Sequence, residues 1–169
     1  MSHEDGKDLE VLTFGLQGEI FAVEALSVRE ILDLAAVTAV PNSNPFVGSL
    51  VNVRGKVVPL ADLHIRFGME PFEQTVDTRV IVLEVPLEGE ATIVGILADK
   101  VFEVTGLAAT TMEAAPDIGI KWRREFVSGI GKRGEDFVIV LNMERIFASR
   151  DSEPAGKPED AGSETVTAF

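Results

Sequence analysis

The chain has no cysteine and no tyrosine, and only one tryptophan and two histidines among its 169 residues. Without cysteine there is no disulfide framework, thiolate zinc site, iron–sulfur cluster or cysteine nucleophile. No such staple is needed, because a single domain of this size buries enough surface to hold itself together. Basic charge is scarce as well: 15 Lys and Arg stand against 28 Asp and Glu, for a formal charge of −13. That balance excludes the electrostatic footprint of a protein that binds nucleic acid or anionic lipid. Apolar runs fall far short of the roughly 20 residues a membrane-spanning helix requires, so no membrane insertion is expected. The opening residues 1–8 are polar and acidic, unlike a signal peptide, and read as a flexible lead.

The same shortages leave little for catalysis. An enzyme needs a nucleophile, an acid–base pair or a metal cluster. His3 lies in the polar lead, and His64 sits in Leu63-His64-Ile65-Arg66-Phe67, a partly buried helical turn where a lone histidine reads as structural. Residues 129–134, Gly-Ile-Gly-Lys-Arg-Gly, match a G-x-G-x-x-G spacing. The dinucleotide fingerprint needs a helix after the last glycine. Here a strand-like run, Phe137–Leu141, follows, so the glycines read as a hairpin turn. No enzyme, cofactor or metal site is expected.

What is present is β-structure. Leu9–Leu16, Glu19–Val23, Lys56–Leu63, Thr78–Val85, Ala91–Leu97 and Phe137–Leu141 are rich in β-formers, and Gly and Pro punctuate the intervals. Val80-Ile81-Val82-Leu83 is an unbroken apolar run of the kind found in core strands. Leu60–Phe67 and Asn142–Ala148 are the helical candidates, both short. Many short strands with turns indicate a barrel or a sandwich. Residues 151–169 carry five acids and one base among Ser, Gly, Pro, Ala and Thr, with Val166 and Phe169 their only large apolar residues. Such a composition cannot offset the entropy of ordering and reads as a disordered acidic tail, leaving one folded domain over 9–150.

The body also repeats itself. Phe21-Ala22-Val23 through Val28-Arg29-Glu30-Ile31 aligns with Val94-Gly95-Ile96 through Val101-Phe102-Glu103-Val104 at one constant offset. Phe46-Val47 aligns with Phe126-Val127, Arg54-Gly55 with Arg133-Gly134, and Asp62-Leu63 with Asn142-Met143. Four features in the same order point to a duplicated β-module. Within it, Glu30 lies between apolar neighbours and Arg54 precedes a tight turn. An Arg and a Glu from nearby loops can form a bidentate pair that fixes loop geometry, although composition alone reads this as a surface ion pair of little consequence.

The segment Phe46-Val47-Gly48-Ser49-Leu50-Val51-Asn52-Val53-Arg54-Gly55-Lys56-Val57-Val58-Pro59-Leu60-Ala61-Asp62-Leu63 resembles the most recognisable stretch of CheW-like domains. Val28-Arg29-Glu30-Ile31, Thr78–Leu83, Val94–Val101 and Phe126–Gly131 resemble further family elements in order, so the likeness spans about 9–149. The resemblance implies a mostly β fold of two intertwined five-stranded SH3-like β-barrels with a groove between them and short helices. It implies a non-enzymatic, cytoplasmic adaptor of bacterial chemotaxis, recruited to membrane-associated receptor arrays. There it would couple the cytoplasmic hairpin tip of methyl-accepting chemoreceptors to the regulatory domain of the histidine kinase CheA. Val28, Glu30, Ile31, Arg54 and Val104 match positions at the receptor-binding groove, with Val28, Ile31 and Val104 giving apolar contact and Arg54 and Glu30 shaping the groove by pairing. Ser49 and Leu50, read as a loop, and the hairpin at Gly131 are assigned to kinase contact. Ser49 stands where the family usually has glycine, which would strain the loop if a positive φ were needed there. The alternatives are a scaffold of another receptor–kinase pathway, controlling twitching or a second messenger, or a small-molecule-binding barrel lined by Trp122.

Overall fold

The structure, a computed structural model, describes residues 8–34, 37–39, 46–114 and 124–148. All of the polar lead 1–8 except Asp8, together with Trp122 and the tail 151–169, lies outside the described residues. The described residues form eleven strands: β1 (Leu9–Leu16), β2 (Glu19–Glu24), β3 (Val28–Asp33), β4 (Val37–Ala39), β5 (Ser49–Val53), β6 (Lys56–Ala61), β7 (Arg79–Leu87), β8 (Glu90–Ala98), β9 (Lys100–Leu107), β10 (Val127–Arg133) and β11 (Asp136–Leu141). Two short helices follow β6 and β11: α1 (Leu63–Arg66) and α2 (Met143–Ala148). α1 is shorter than the predicted Leu60–Phe67 because Leu60 and Ala61 are used as strand and Asp62 caps the helix, whereas α2 falls short of the predicted Asn142–Ala148 by Asn142 alone, whose side chain accepts from the Arg145 amide at 3.0 Å.

The strands form two curled sheets, in the orders β10-β11-β2-β1-β9 and β3-β7-β8-β6-β5-β4. The mostly β, two-barrel architecture expected from the sequence is therefore borne out, with one addition. The second sheet has a sixth member, the three-residue β4, paired on β5 through Val37–Val51 and Thr38–Leu50. Among the described residues the first sheet has in the corresponding place an isolated bridge, Glu113 to Ile130, which ties the segment after β9 back to β10.

The predicted duplication is visible in the registers. β2 and β11 run parallel, with Phe21 opposite Ile139 and Ala22 opposite Val140. β8 and β6 repeat this with Gly95 opposite Leu60 and Ile96 opposite Ala61. The Asp62 amide donates to the Phe46 carbonyl at 2.9 Å, and its counterpart Asn142 donates to the Phe126 carbonyl at 2.8 Å. The repeats are also exchanged. The β1–β2 hairpin joins the sheet made by the second repeat's β9, β10 and β11, while the β7–β8 hairpin joins β3, β5 and β6.

Exchange explains why so many strands are apolar on both faces. Val11, Ala22, Val138 and Val140 point into the first barrel with Leu9 and Leu107. Val51, Val53, Val58, Leu60, Val80, Val82 and Leu97 fill the second. The alternate residues of the same strands, among them Leu12, Phe14, Phe21, Val23, Ile81, Leu83 and Ile96, meet in a third, central cluster that both sheets share. A strand buried on both sides loses the two-residue alternation and becomes a continuous apolar run. At the centre Arg66 is buried with its guanidinium 4.1 Å from the Phe46 ring and 5.8 Å from that of Phe126, the two equivalent phenylalanines.

Candidate functional site

β3 and β9 are equivalent strands, and each lies at the end of its sheet order. Both carry a bulge at the same repeat position. In β3 the extra residue is Arg29, between the pairs Val28–Leu83 and Glu30–Val82. The bulge re-aims the chain, so that Val28 and Ile31 lie over the face of Leu83 and Ile81, which is the central core, while Glu30 and Leu32 lie over the opposite face. Val28 is half-buried against that core, and Ile31 is 42% exposed. On β9, Val104 stands opposite the buried Leu12 and is 56% exposed. Ile31 and Val104 are thus exposed on two edge strands, opposite Ile81 and Leu12 of the central core, and Val28 packs against that core.

The ion pair expected between Arg54 and Glu30 is present and bidentate: Nε donates to Oε2 at 2.5 Å and Nη2 to Oε1 at 3.3 Å. Arg54 takes its place through backbone geometry. It sits at the first position of a two-residue hairpin between β5 and β6 with φ of 53°, followed by Gly55 at 83°. Two successive positive φ values give the turn that matches strand twist, and glycine meets the second at no steric cost. The Glu30 hydrogen bond, then its charge, raises the Arg54 pKa above its ordinary value. The pair joins β3 to the tip of a hairpin that is not its hydrogen-bonded neighbour, so it spans the seam of the second barrel.

The residues assigned to kinase contact sit elsewhere. Ser49 and Leu50 are not in a loop: they open β5 and pair with Leu60 and Pro59, both half-buried. Neither Gly48 nor Ser49 is among the positive-φ residues, so serine is unstrained there. Gly131 is buried in β10, and a Cβ there would stand 2.9 Å from Leu107 Cδ1 and 3.0 Å from Met112 Sδ. The glycine lets β10 approach the Leu107 and Met112 side chains, whose ends would have to shift to admit a methyl group. Sequence reasoning missed Leu26, 90% exposed in the Ala25–Ser27 turn just before Val28, and Phe102, 46% exposed at the β9 bulge.

His64, read as structural, is 1% exposed and joins the two halves of the molecule. Nδ1 meets Asp62 Oδ1 at 2.7 Å and Nε2 meets Asp99 Oδ1 at 2.9 Å. Asp62 caps α1 by accepting from the His64 amide at 3.0 Å, and Asp99 Oδ2 accepts from the Gln17 amide at 2.8 Å. Burial lowers the His64 pKa, but the Asp62 hydrogen bond and charge, with those of Asp99, outweigh it and hold the pKa above the ordinary value. With both ring nitrogens engaged by carboxylates, the imidazole has no free lone pair to offer as a general base.

Among the described residues, no helix is long and apolar enough to cross a membrane. Compared with known proteins, residues 10–151 match the family model of the CheW-like domain. The chain is 32% identical over 142 residues to the chemotaxis protein CheW of Klebsiella aerogenes, covering 84% of this chain and 83% of that one. It is 30% identical over 148 residues to a probable chemotaxis protein CheW of Rhizobium etli, covering 88% and 93%. Its fold superposes on the crystal structure of the scaffolding protein TtCheW from Thermoanaerobacter tengcongensis with a TM-score of 0.75 at 26% identity, covering 86% of this chain and 92% of that one. The exchanged barrels, the Asn52-Val53-Arg54-Gly55 hairpin and these matches agree: the chain belongs to the CheW-like family.

Proposed function

We propose that this protein is a non-enzymatic chemotaxis adaptor that couples the hairpin tip of a membrane chemoreceptor to the histidine kinase CheA. Its site would be the groove where the central core reaches the surface between β3 and β9. The observation that carries the reading is the clamped edge strand: Glu30 is held by Arg54 in bidentate geometry, while the next residue, Ile31, stays exposed beside the core. An amphipathic helix laid along such a surface would bury Ile31, Val104 and the outer part of Val28, a helix-in-groove mode of recognition. Arg54 would act through Glu30 by fixing the course of β3, and so it is a positioning residue. Ser49 and Leu50 on β5, and the β10–β11 hairpin built on Gly131, are assigned to the kinase regulatory domain as part of the same proposal. The protein would then work in the cytoplasm at receptor arrays.

The test is kinase autophosphorylation in a mixture of receptor-bearing membranes and the histidine kinase from the same cell, with and without this protein. Activation that requires receptor and is abolished by attractant is the expected result. Arg54→Glu sets two carboxylates against each other and is expected to weaken coupling while circular dichroism stays native. No activation at saturating wild-type protein would overturn the proposal, and an unfolded Arg54→Glu variant would make Arg54 a determinant of the fold instead.

A further inference from the structure

The duplication carries more than the fold. Glu103 is the repeat partner of Glu30, and Arg133 that of Arg54. In the structure Arg133 Nη2 is ion-paired with Glu103 Oε2. The surroundings are duplicated too. The β9 bulge, opposite Thr13, matches the β3 bulge at Arg29. The residue after each glutamate is an exposed aliphatic, Ile31 in one copy and Val104 in the other. Each arginine comes from the Arg-Gly end of the second hairpin of its repeat, and each pair bridges strands from opposite sides of a sheet order, β3 to β5–β6 and β9 to β10.

The second copy is also anchored at its backbone by a side chain of the neighbouring strand. The buried Thr13 hydroxyl donates to the Glu103 carbonyl at 2.9 Å and accepts from the Glu103 amide at 3.2 Å. Both backbone groups of the bulged residue are thereby fixed from β1, leaving the carboxylate to reach for Arg133. A bulge with a fixed backbone and a tethered side chain sets the twist of an edge strand and hence the direction of the next side chain. The tether itself contributes little to folding, because both partners are more than two-fifths exposed.

We propose that Glu103 and Arg133 are a second pair of positioning residues for partner docking, holding Val104 as Glu30 and Arg54 hold Ile31. The inference rests on the groove reading above and adds that the docking surface has two quasi-equivalent halves, each with its own clasp. Its partner would be an apolar helical segment in contact with both edge strands at once, so that loosening either half weakens the whole.

The experiment is co-sedimentation of the full chain with receptor-bearing membranes from the same cell, titrated to give a Kd. Glu103→Arg and Arg133→Glu are each expected to raise Kd about tenfold, and the double exchange Glu103→Arg/Arg133→Glu to restore it to within about threefold of wild type. Melting temperatures are expected to move by no more than about 4 °C. Singles that bind like wild type, or a double exchange that fails to rescue, would overturn the proposal. A single variant that unfolds would do the same, since the pair would then determine the fold rather than aim a side chain. Arg54→Glu and Ile31→Asp distinguish the two levels. If they weaken binding and the Glu103 and Arg133 variants do not, the second clasp fails and the groove stands. If none of the four changes binding, the groove reading itself fails.

Discussion

Raising the pH should loosen this protein through one side chain. His64 is 1% exposed and faces carboxylates at both ring nitrogens, Asp62 at 2.7 Å and Asp99 at 2.9 Å. Only the imidazolium can donate to both; a neutral ring donates once and turns a lone pair toward the other carboxylate. Burial works against the charge, but the two aspartates prevail, and the folded pKa lies above the unfolded value of 6.5. The sign follows. Between the two pKa values the folded state holds one more proton than the unfolded state, so stability is present in full below about pH 6.5 and is lost as pH rises through the folded pKa. The steepest slope one proton allows is about 1.4 kcal/mol per pH unit. His64→Gln should flatten that slope. It should also lower stability at pH 6 by about 2–3 kcal/mol, less than the roughly 3–5 for a fully buried pair, because Asp62 and Asp99 are a fifth and a third exposed and water recovers part of the loss. Urea melts at half-unit steps from pH 5.5 to 9 measure both effects, and with His3 the only other histidine the His64 ring proton can be followed by NMR. A wild-type slope equal to that of His64→Gln would refute the reasoning.

Three further outcomes follow, two from single positions and one from a deletion. Gly131→Ala places a methyl 2.9 Å from Leu107 Cδ1 and 3.0 Å from Met112 Sδ; both are side-chain ends that can yield, so a loss of about 1–2 kcal/mol in a denaturant melt is expected. Arg54→Gly keeps the hairpin, because glycine adopts the 53° φ freely, and should leave the denaturant midpoint nearly unchanged while weakening receptor-dependent kinase activation. Removing residues 151–169 should leave the melting temperature nearly unchanged, as their composition offers little apolar surface to bury; a large drop would show that the segment docks on the body.

The interior strands were legible in the sequence because burial on two faces writes an unmistakable apolar run, as in Val80–Leu83. The edge strands were not. β3 reads Val-Arg-Glu-Ile-Leu-Asp and β9 begins Lys-Val-Phe-Glu-Val, and in each a bulge breaks the alternation while exposed positions take charge. The Arg54–Glu30 pair could be named from its motif, but composition could not show that it spans a barrel seam, since the two residues belong to strands that never pair. Gly131 misled for a related reason: a glycine in a hairpin suggests a turn, and only the approach of Leu107 shows that it serves close packing. The Glu103–Arg133 pair was encoded in the repeat all along, displaced by the one-residue slip at the second hairpin, where Gly134 rather than the residue after it takes the positive φ.

Exchange of hairpins between the repeats has a thermodynamic consequence that the barrel description alone hides. Beyond the pairing within each hairpin, β1 and β2 find their partners in β9 and β11, and β7 and β8 find theirs in β3 and β6. Neither repeat can therefore close a sheet from its own strands, and the central cluster draws Leu12 and Phe21 from one and Ile81 and Ile96 from the other. Two barrels built this way should melt as one unit, in contrast to two domains joined by a linker. Unfolding followed by far-UV circular dichroism and by the His64 ring proton should give coincident transitions. A fragment ending at residue 76 and one beginning at 77 should each be unfolded alone and regain native β-signal when mixed, because each supplies the strands the other lacks. Two resolved transitions, or a fragment that folds by itself, would show that pairing within a repeat suffices and that the exchange is not what binds the two barrels into one body.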